Sequence, residues 1–492
     1  REWWDNDDTV TLITRPRRFG KTLNMSMLEC FFSNKYKDRG NLFEGLEIWN
    51  DEKYRKLQGT YPVIFLSFAS IKGNTFELAK NQIYEKIAEL YENNRFLLES
   101  ACMSDTEKAK YRSFLENPID KDVSFALNNL SKYLSIYFGT NVIILLDEYD
   151  TPMQEAYVNG YWEELVAFTR SLFNSTFKTN PYLERAIMTG ITRVSKESIF
   201  SDLNNLKVIT VTSDEYSKCF GFTEDEVFAA LDEQGLSSEK EKVKLWYDGF
   251  TFGDEKDVYN PWSIINFLDE KKYKTYWADS SSNGLVNELI RTGSAEIKKT
   301  METLIAGGTV EKNIDEQIVF EQLKTNKDAV WSLLLASGYL RVETFRTEGR
   351  LNKKIYSLKL TNYEVEQMFG TMIERWFGGA DVPYNEFINA MLNGDIESMN
   401  EYMNRVTRGV ISYFDTGKTP SDEEPERFYH GLVLGLMVEQ VDNYILNSNR
   451  ESGYGRYDIM LEPIDKTNEK YPGIVIEFKV INPRKENTLE ET

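Results

Sequence analysis

Five short apolar runs in the first 212 residues constrain the fold of this chain more than any other feature. Helix-like segments separate the runs, which fall within residues 10–14, 61–70, 141–152, 184–193 and 205–212. Such runs are typical of buried strands, because both faces of a parallel sheet are covered. Strands that alternate with helices indicate a parallel sheet with crossover connections. The sequence therefore predicts an α/β domain at the amino end.

The first run leads into a loop that contains Gly-Lys-Thr. Residues 15–22 read RPRRFGKT, and apolar side chains recur at helical spacing over residues 23–32. Strand, loop and helix in this order are the setting of a phosphate-binding loop, whose usual pattern is G-x-x-x-x-G-K-[ST]. We expect Lys21 to neutralise a phosphate at the helix start and Thr22 to place a hydroxyl on Mg²⁺. Arg15 stands where the pattern has glycine, so a solvated turn is the alternative.

Two carboxylates follow the third apolar run, in NVIILLDEYDTP (residues 141–152). The carboxyl end of a buried strand is where an α/β sheet places its site. We predict that Asp147 holds Mg²⁺ through water and that Glu148 polarises the attacking water. Because this motif and the loop motif occur in the right order, they favour a nucleotide site over two solvated loop carboxylates.

The fourth run ends in the polar stretch Thr189-Gly190-Ile191-Thr192-Arg193. A nucleotide site at the same sheet edge would bring this stretch near the γ-phosphate. Arg193 is then a candidate for a charge-assisted hydrogen bond to that phosphate. An ordinary loop arginine is an equally good interpretation.

Composition narrows the chemistry that the chain can perform. The formal net charge is −21, and His430 is the only histidine. A strongly acidic surface repels phosphate backbones, so any contact with DNA or RNA must come from local basic clusters. One histidine nearly excludes Ser-His-Asp triads and multi-histidine metal sites. Three dispersed cysteines and the absence of a long apolar run favour a cytoplasmic protein without a membrane span.

The region after the sheet begins with a helix signal. FGFTEDEV (residues 220–227) has Thr223 and Glu226 at the spacing of a capping box, which we expect to open a helical lid subdomain. We expect four aromatic side chains beyond it to be core rather than an adenine-stacking platform. They are Trp246, Tyr247, Trp262 and Phe267.

The middle of the chain has a winged-helix-like pattern, with a helix and two strands over residues 331–360. The helix carries neither Lys nor Arg, so a structural role or a protein partner is favoured over DNA binding. The turn-rich acidic segment 417–428 is a good domain boundary. A boundary near Val382 fits equally well.

The last strand-like run, IVIEFKVI (residues 474–481), carries separate chemistry. Alternate side chains of a strand share a face, so Glu477 and Lys479 point the same way. Asp458 lies in the preceding run, RYDIML. Two carboxylates suit Mg²⁺ or Mn²⁺, which activates water, while Lys479 steadies developing charge. A surface salt bridge explains an isolated E-x-K more often.

The motifs of the first half resemble the AAA-ATPase-like family of bacterial proteins. They are RPRRFGKT, LLDEYDTP, TGITRVSKESIFSDLNNL, FGFTEDEV, WYDGF and VYNPWSI, in order from Arg15 to Ile264. The resemblance implies a P-loop ATPase domain of the additional-strand type, with the loop in the family form R-P-R-R-x-G-K-[ST]. It also implies a segment ahead of the loop, and hence a truncated amino end. The loop residues that it assigns to ATP are Arg15, Pro16, Arg17, Arg18, Phe19, Gly20, Lys21 and Thr22.

The carboxyl end resembles the PD-(D/E)XK nuclease-superfamily domain that accompanies this ATPase family. RFYHGLVLGL, NRESGYGRYDIML and IVIEFKV carry the resemblance over residues 424–481. It implies that Asp458, Glu477 and Lys479 form the D…E-x-K set. Either Glu426 or Glu439 is a candidate for a further acidic group. For His430, a role in packing is slightly favoured over a role in catalysis.

These observations predict four regions. They are a P-loop ATPase-like domain (1–215), a helical lid (216–300), a winged-helix-like region (301–380) and an α/β nuclease-like domain with a helical lead-in (381–492). The expected function is ATP binding coupled to metal-dependent cleavage of nucleic acid. Two alternatives stay open: a nucleotide-dependent regulator or scaffold whose nuclease fold only binds, and an ATPase that remodels a protein partner.

Overall fold

A computed structural model gives the structure of the chain. Two compact units are present, the first made of residues 1–237, 249–265 and 314–340, and the second of 238–248, 266–313 and 341–492. Residues are described over 1–116, 123–193, 200, 203–278, 280, 284–291, 295–305, 307–315, 323, 328–349, 353–377, 384–411, 433, 437, 443–452, 455–468 and 471–477.

A five-stranded parallel sheet forms the centre of the first unit. Its strands are β1 (Val10–Thr14), β2 (Val63–Ser67), β3 (Val142–Asp147), β4 (Leu183–Gly190) and β5 (Leu206–Ile209). Their order is β2-β3-β4-β1-β5, so β4 lies between the strand that precedes the Gly-Lys-Thr loop and the strand that precedes the acidic pair. This arrangement confirms the α/β prediction and the additional strand.

Burial explains why the strands could be recognised from apolar runs. Every residue of β1 and of β3 is buried, because helices cover both faces of the sheet. In the parallel register, Leu12 on β1 lies beside Met188 on β4, and Ile144 on β3 lies beside Ala186 on β4. The register brings the carboxyl ends of β1, β3 and β4 to one edge of the sheet.

Helices that follow the strands complete the α/β layers of the first unit. Helix α2 (Lys21–Phe32) begins inside the loop motif and not at Leu23 as the apolar spacing suggested. Those that precede the lid region are α1 (Glu2–Asp5), α2 (Lys21–Phe32), α3 (Glu52–Arg55), α4 (Phe76–Asn93), α5 (Asp105–Glu116), α6 (Ala126–Phe138), α7 (Thr151–Asn159) and α8 (Trp162–Phe173).

The amino-terminal segment is anchored to the sheet by Arg185, an interaction that the sequence did not predict. This buried side chain on β4 donates hydrogen bonds to the carbonyl oxygens of Trp3 (3.1 Å) and Trp4 (2.5 Å) and to Asp7 (2.7 Å). Its guanidinium carbon also lies 4.2 Å from the centre of a Trp4 ring. Residues 1–8 are therefore part of the packed first unit.

A small antiparallel sheet follows, with strands β6 (Phe222–Thr223), β7 (Phe250–Phe252) and β8 (Glu255–Tyr259) in the order β6-β8-β7. Helix α9 (Glu224–Glu233) begins immediately after β6. The hydroxyl of Thr223 accepts from the Glu226 N–H, and the Glu226 carboxylate accepts from the Thr223 N–H, which confirms the capping box. Helix α10 (Lys240–Tyr247) lies between α9 and β7 in the sequence, and α11 (Pro261–Glu270) follows β8.

The core prediction for the four aromatic residues is right for two of them and wrong for Trp262. Tyr247 and Phe267 are buried, whereas Trp246 is half-buried. Trp262 is 39% exposed, and Ile265, three residues further along α11, is 55% exposed. Residues three apart share a helix face, so both lie on the outer face of α11, opposite the buried Ile264 and Phe267.

The second unit contains two small sheets. Strands β9 (Val310–Lys312), β10 (Leu340–Glu348) and β11 (Lys353–Leu360) form one sheet in the order β10-β11-β9. The two strands predicted for the winged-helix-like region are therefore present. Its helix is α14 (Ala329–Ala336), which belongs to the first unit. The remaining helices are α12 (Gly284–Arg291), α13 (Ala295–Ile305), α15 (Tyr363–Phe377), α16 (Tyr384–Leu392) and α17 (Ile396–Ile411).

The second sheet of this unit lies at the carboxyl end, with strands β12 (Tyr444–Ser452), β13 (Gly455–Pro463) and β14 (Ile474–Ile476) in sequence order. The apolar segment at residues 426–446 predicts a helix, which is wrong at its carboxyl end, because Tyr444 and Leu446 pair with Pro463 and Leu461 of β13. Tyr444 is buried and the next residue is 52% exposed, which is the alternation of a strand.

Phe387, Tyr402 and Ile459 contribute to a core that packs against one face of this carboxyl-terminal sheet. Among the helices in the described part of the chain, none has the length and apolarity needed to cross a membrane. The predicted domain boundaries remain predictions.

Candidate functional site

The candidate site lies at the carboxyl edge of the parallel sheet, in the loop between β1 and α2. Two loop residues have left-handed backbone: Arg18 (φ 64°) and Gly20 (φ 79°). Glycine adopts this conformation without strain, whereas an arginine does so at a cost. Gly20 is the N-cap of α2. The turn therefore leads directly into a helix start, where free backbone N–H groups favour an anion.

Lys21 is buried and turned towards its own loop. Its ammonium group donates to the carbonyl oxygens of Arg15 (3.1 Å) and Pro16 (2.9 Å). Burial lowers the pKa of Lys21, and the nearby carboxylates of Glu148, Asp150 and Asp147 oppose that shift. A phosphate that binds Lys21 would replace the two carbonyl oxygens and supply the negative charge that the buried ammonium lacks.

Asp147 joins the loop motif to the acidic motif. This fully buried carboxylate accepts a hydrogen bond from the Thr22 hydroxyl at 2.7 Å and from the Thr189 hydroxyl at 2.6 Å. The Ser67 hydroxyl on β2 lies 3.5 Å away. The structure thus brings together the two residues predicted to hold Mg²⁺. Their hydroxyl and carboxylate oxygens are the hard donors that Mg²⁺ prefers, so this donor set fits the ion.

Glu148 has a left-handed backbone, with φ at 50°. A conformation of this kind costs an ordinary residue on the order of 1–3 kcal/mol and is concentrated at functional sites. The Glu148 N–H donates to the Thr189 hydroxyl at 3.4 Å, and the Thr151 hydroxyl donates to the Glu148 carboxylate at 3.1 Å. The half-buried carboxylate is held beside the Asp147 cluster, and its role towards water stays a prediction.

Asp150 was missed by the sequence reasoning, although it belongs to the same motif. One oxygen of this buried carboxylate accepts from the N–H of Ile191 (3.0 Å), the N–H of Thr192 (2.8 Å) and the Thr192 hydroxyl (2.8 Å). A side chain on Gly190 would come within 2.7 Å of its other oxygen. Asp150 therefore fixes the turn after β4. The signal for it was the second aspartate of D-E-Y-D.

Arg17 links the loop to this turn through two intermediate side chains, Gln154 and Asp150. Its guanidinium donates to the Gln154 amide oxygen at 3.2 Å, and the Gln154 amide donates to Asp150 at 3.2 Å. A continuous set of hydrogen bonds thus runs from the loop through α7 to the end of β4.

Arg15 and Phe19 support the loop from inside the protein. The buried Arg15 guanidinium donates to the carbonyl oxygens of Thr14 (2.9 Å) and Thr210 (2.7 Å) and lies 4.6 Å from the centre of the Phe252 ring. Burial lowers the pKa of Arg15 to about 10. The Phe19 ring lies 4.8 Å from that of Phe250. Both side chains are used for packing, and a contact of either with ATP stays a prediction.

Arg193 directly follows the turn that Asp150 holds. Its half-buried side chain lines a small cavity with Thr14, Thr210 and Ser332. The cavity is bounded by the ends of β1 and β5 and by α14. The predicted contact of Arg193 with a γ-phosphate is untested by this arrangement and remains a prediction.

The second candidate site lies on the carboxyl-terminal sheet. Ile459 of β13 pairs with Ile476 of β14 in antiparallel register. Asp458 precedes Ile459 on β13, and Glu477 directly follows the last residue of β14. A continued register sets these carboxylates opposite each other on the face away from the buried isoleucines. Asp458 is half-buried and Glu477 is exposed.

Other residues predicted for this second site lie outside the described part of the chain. They are Lys479, Glu426, Glu439 and His430. Carboxylate oxygens from Asp458 and Glu477 suit Mg²⁺ or Mn²⁺. The metal and catalytic roles of the set stay predictions.

Comparison with known proteins gives two family matches. Residues 4–200 match the family model described as predicted AAA-ATPase, and residues 424–492 match that of the PD-(D/E)XK nuclease superfamily. An uncharacterized protein in the vnfD 5′ region of Azotobacter chroococcum mcd 1 is 25% identical over 360 residues. The match covers 73% of this chain and 62% of that protein, so the chain spans less than two thirds of the relative. No solved structure matches.

Proposed function

This chain joins an AAA-ATPase-like region to a PD-(D/E)XK nuclease-superfamily region, and on that premise we propose that ATP binding in the first controls a metal-dependent nuclease-like site in the second. One observation carries the nucleotide half of the proposal. The Thr22 hydroxyl, directly after Lys21, donates to the Asp147 carboxylate at 2.7 Å. Loop and acidic motif therefore meet at one place, as binding of a metal–nucleotide complex requires.

The triphosphate binds in the loop through its backbone and Lys21. Backbone N–H groups at the start of α2 face the phosphate, and Lys21 exchanges the carbonyl oxygens of Arg15 and Pro16 for phosphate oxygens. Arg17, which bonds Gln154 in this structure, supplies a second cation at the same loop. Arg193 completes the set if the turn held by Asp150 brings it to the γ-phosphate.

Thr22 and Asp147 would hold Mg²⁺, which supplies neutralisation of phosphate charge when bound. The Thr22 hydroxyl can keep donating to the Asp147 carboxylate while a lone pair of its oxygen faces the ion. Glu148 orients water for attack and accepts its proton, from a carboxylate position fixed by Thr151. With Glu148 in this role, the protein would hydrolyse the ATP that it binds.

The carboxyl-terminal site would act on a phosphodiester of DNA or RNA. Asp458 and Glu477 hold Mg²⁺ or Mn²⁺, and Lys479 steadies the charge that develops on the scissile phosphate. The net charge of −21 requires that nucleic acid be bound by local basic clusters. We place this activity in the bacterial cytoplasm, with a further protein partner at the winged-helix-like region.

The same net charge supports a second candidate function. An acidic chain pays an electrostatic cost for approaching a polyanion. In this alternative the protein is a nucleotide-dependent regulator or scaffold, and its nuclease fold binds without cleaving. A divalent ion seen between Asp458 and Glu477 at about 2.0–2.6 Å favours the nuclease over the scaffold.

Calorimetry on Lys21→Ala tests the nucleotide half of the proposal. We expect Mg²⁺–ATP to bind wild-type protein and to lose at least about 100-fold in affinity with the variant, because charge-assisted contacts to phosphate disappear. Lys35→Ala, an exposed lysine beyond α2, is the matched control and should bind as wild type does. Tight binding of ATP by Lys21→Ala would refute the loop assignment.

A further inference from the structure

A large aromatic side chain stands exposed beside the candidate nucleotide loop. Trp262 is 39% exposed, although tryptophan exposes costly apolar surface. It lies in the first turn of α11, in the sequence VYNPWSI, and belongs to the first unit together with the loop. The face that it shares with Ile265 is open. Packing of the core therefore does not explain this tryptophan.

Asn260 ties the start of α11 to the loop. This fully buried side chain donates its amide hydrogen to the Arg17 carbonyl oxygen at 3.2 Å. Its amide oxygen accepts from the N–H groups of Trp262 (2.9 Å) and Ser263 (3.4 Å). One side chain thus caps the helix and holds the loop backbone. The position of Trp262 relative to the loop is fixed by the hydrogen bonds of this buried side chain.

Arg18 brings the loop itself onto the tryptophan. Its guanidinium carbon lies 4.6 Å from the centre of a Trp262 ring, a cation–π contact between two exposed side chains. The left-handed backbone of Arg18 (φ 64°) directs the side chain there at a conformational cost. Lys21 follows three residues later. A platform of indole and guanidinium therefore stands next to the phosphate-binding turn.

We infer that the Arg18–Trp262 pair binds the nucleobase of the nucleotide whose phosphates occupy the loop. An exposed indole offers a flat apolar surface on which a purine stacks, and a guanidinium adds a second planar surface with hydrogen-bond donors. A nucleotide presents its base and its phosphates at opposite ends, which matches a platform beside a cationic turn. The inference rests on the proposed nucleotide site and adds that the ligand is recognised by its base.

Comparison of ATP with inorganic tripolyphosphate separates base binding from phosphate binding. Calorimetry in Mg²⁺ would measure both ligands on wild type, Trp262→Ala, Trp262→Phe and Ile265→Ala. We expect Trp262→Ala to lose roughly 5- to 150-fold in ATP affinity, the range for removing one stacked base. Its tripolyphosphate affinity should not change. Trp262→Phe should regain most of the ATP affinity, and Ile265→Ala, on the same exposed helix face, should match wild type.

Each outcome decides the inference. Equal ATP affinity in wild type and Trp262→Ala overturns the stacking platform and leaves the phosphate site intact. A parallel loss of ATP and tripolyphosphate also overturns it, because the tryptophan then only supports the loop. If wild type binds neither ligand, the proposed nucleotide site fails as well. Loss of single-stranded DNA binding by Trp262→Ala, with ATP binding unchanged, assigns the platform to nucleic acid and overturns the nucleotide assignment.

Discussion

Buried charge is concentrated at one edge of the parallel sheet. Lys21, Arg15, Asp147 and Asp150 are almost fully buried there, although removing a charged group from water is costly. Each of them makes hydrogen bonds: Asp147 accepts from hydroxyls, Asp150 accepts from a turn, and the two cations donate to backbone carbonyl oxygens. Because other groups hold the carboxylates of Asp147 and Asp150, the positive charge of Lys21 is available to an anionic ligand.

ATP affinity should fall at alkaline pH because of Lys21. Burial lowers its pKa from the ordinary value of 10.5, and Glu148, Asp150 and Asp147 only partly offset the shift. As pH rises through the lowered pKa, the free protein loses the ammonium charge that a phosphate needs. A bound triphosphate raises the pKa again, so binding takes up protons in that range.

Calorimetry at about pH 7 and about pH 9.5, in buffers of different ionisation enthalpy, checks this expectation. We expect weaker ATP binding and net proton uptake at the higher pH. Lys21→Arg keeps its charge at both values and should show a flatter dependence. Equal affinity at both pH values without proton uptake would contradict the assignment of Lys21 to phosphate.

Among the elements, the strands of the parallel sheet were predictable from the sequence, whereas the contacts between distant segments that hold its loops were not. Strands such as β1 and β3 are covered on both faces, so their apolar runs are continuous and visible in one sequence. The order of the two motifs then placed Thr22 near Asp147. Local patterns also sufficed for the capping box of Thr223.

Contacts between distant segments carry no local pattern, and these were missed. Asp150 holds a turn 41 residues away, and Arg185 holds tryptophans that precede it by about 180 residues. The exposure of Trp262 was not predicted either, because an aromatic residue in an amphipathic helix is usually expected to face the core. The helix predicted to run through Tyr444 failed because cross-strand pairing with β13 overrides local apolarity.

The small sheet formed by β6, β7 and β8 should stiffen the nucleotide loop through Phe19. That side chain is 1% exposed and lies 4.8 Å and 5.3 Å, ring to ring, from Phe250 and Phe252. We expect Phe19→Ala to lower the free energy of unfolding by about 3–5 kcal/mol, as for other buried aromatic truncations. ATP affinity should weaken too, because the loop loses its anchor between Arg18 and Gly20.

Urea denaturation and calorimetry measure the two effects together. Phe19→Leu keeps most of the buried volume and should cost about 1.5 kcal/mol or less. Phe125→Ala, at a residue that is 57% exposed, is the control and should change stability by less than about 1 kcal/mol. An unfolding free energy for Phe19→Ala equal to that of wild type would show that the sheet does not anchor the loop.

The molecule as a whole carries two candidate sites of opposite charge in two different units. In the proposed function, the loop around Lys21 would present cations to a triphosphate, whereas Asp458 and Glu477 would present anions to a metal. Neither site can do the chemistry of the other. The presence of both regions on one chain, in this order, is the reason for proposing that ATP controls cleavage.

Separate removal of each site should therefore give different defects in cleavage. With Mn²⁺ and labelled single- or double-stranded DNA or RNA, we expect wild-type cleavage to change when ATP is added. Glu477→Ala and Lys479→Ala should abolish cleavage and keep ATP binding, because the first removes a metal ligand and the second a cation at the scissile phosphate. Lys21→Ala should cleave at one rate with or without ATP. Equal cleavage by wild type and both carboxyl-terminal variants removes the nuclease claim, and an ATP response that survives in Lys21→Ala removes the coupling, since ATP would then act at a place other than the loop.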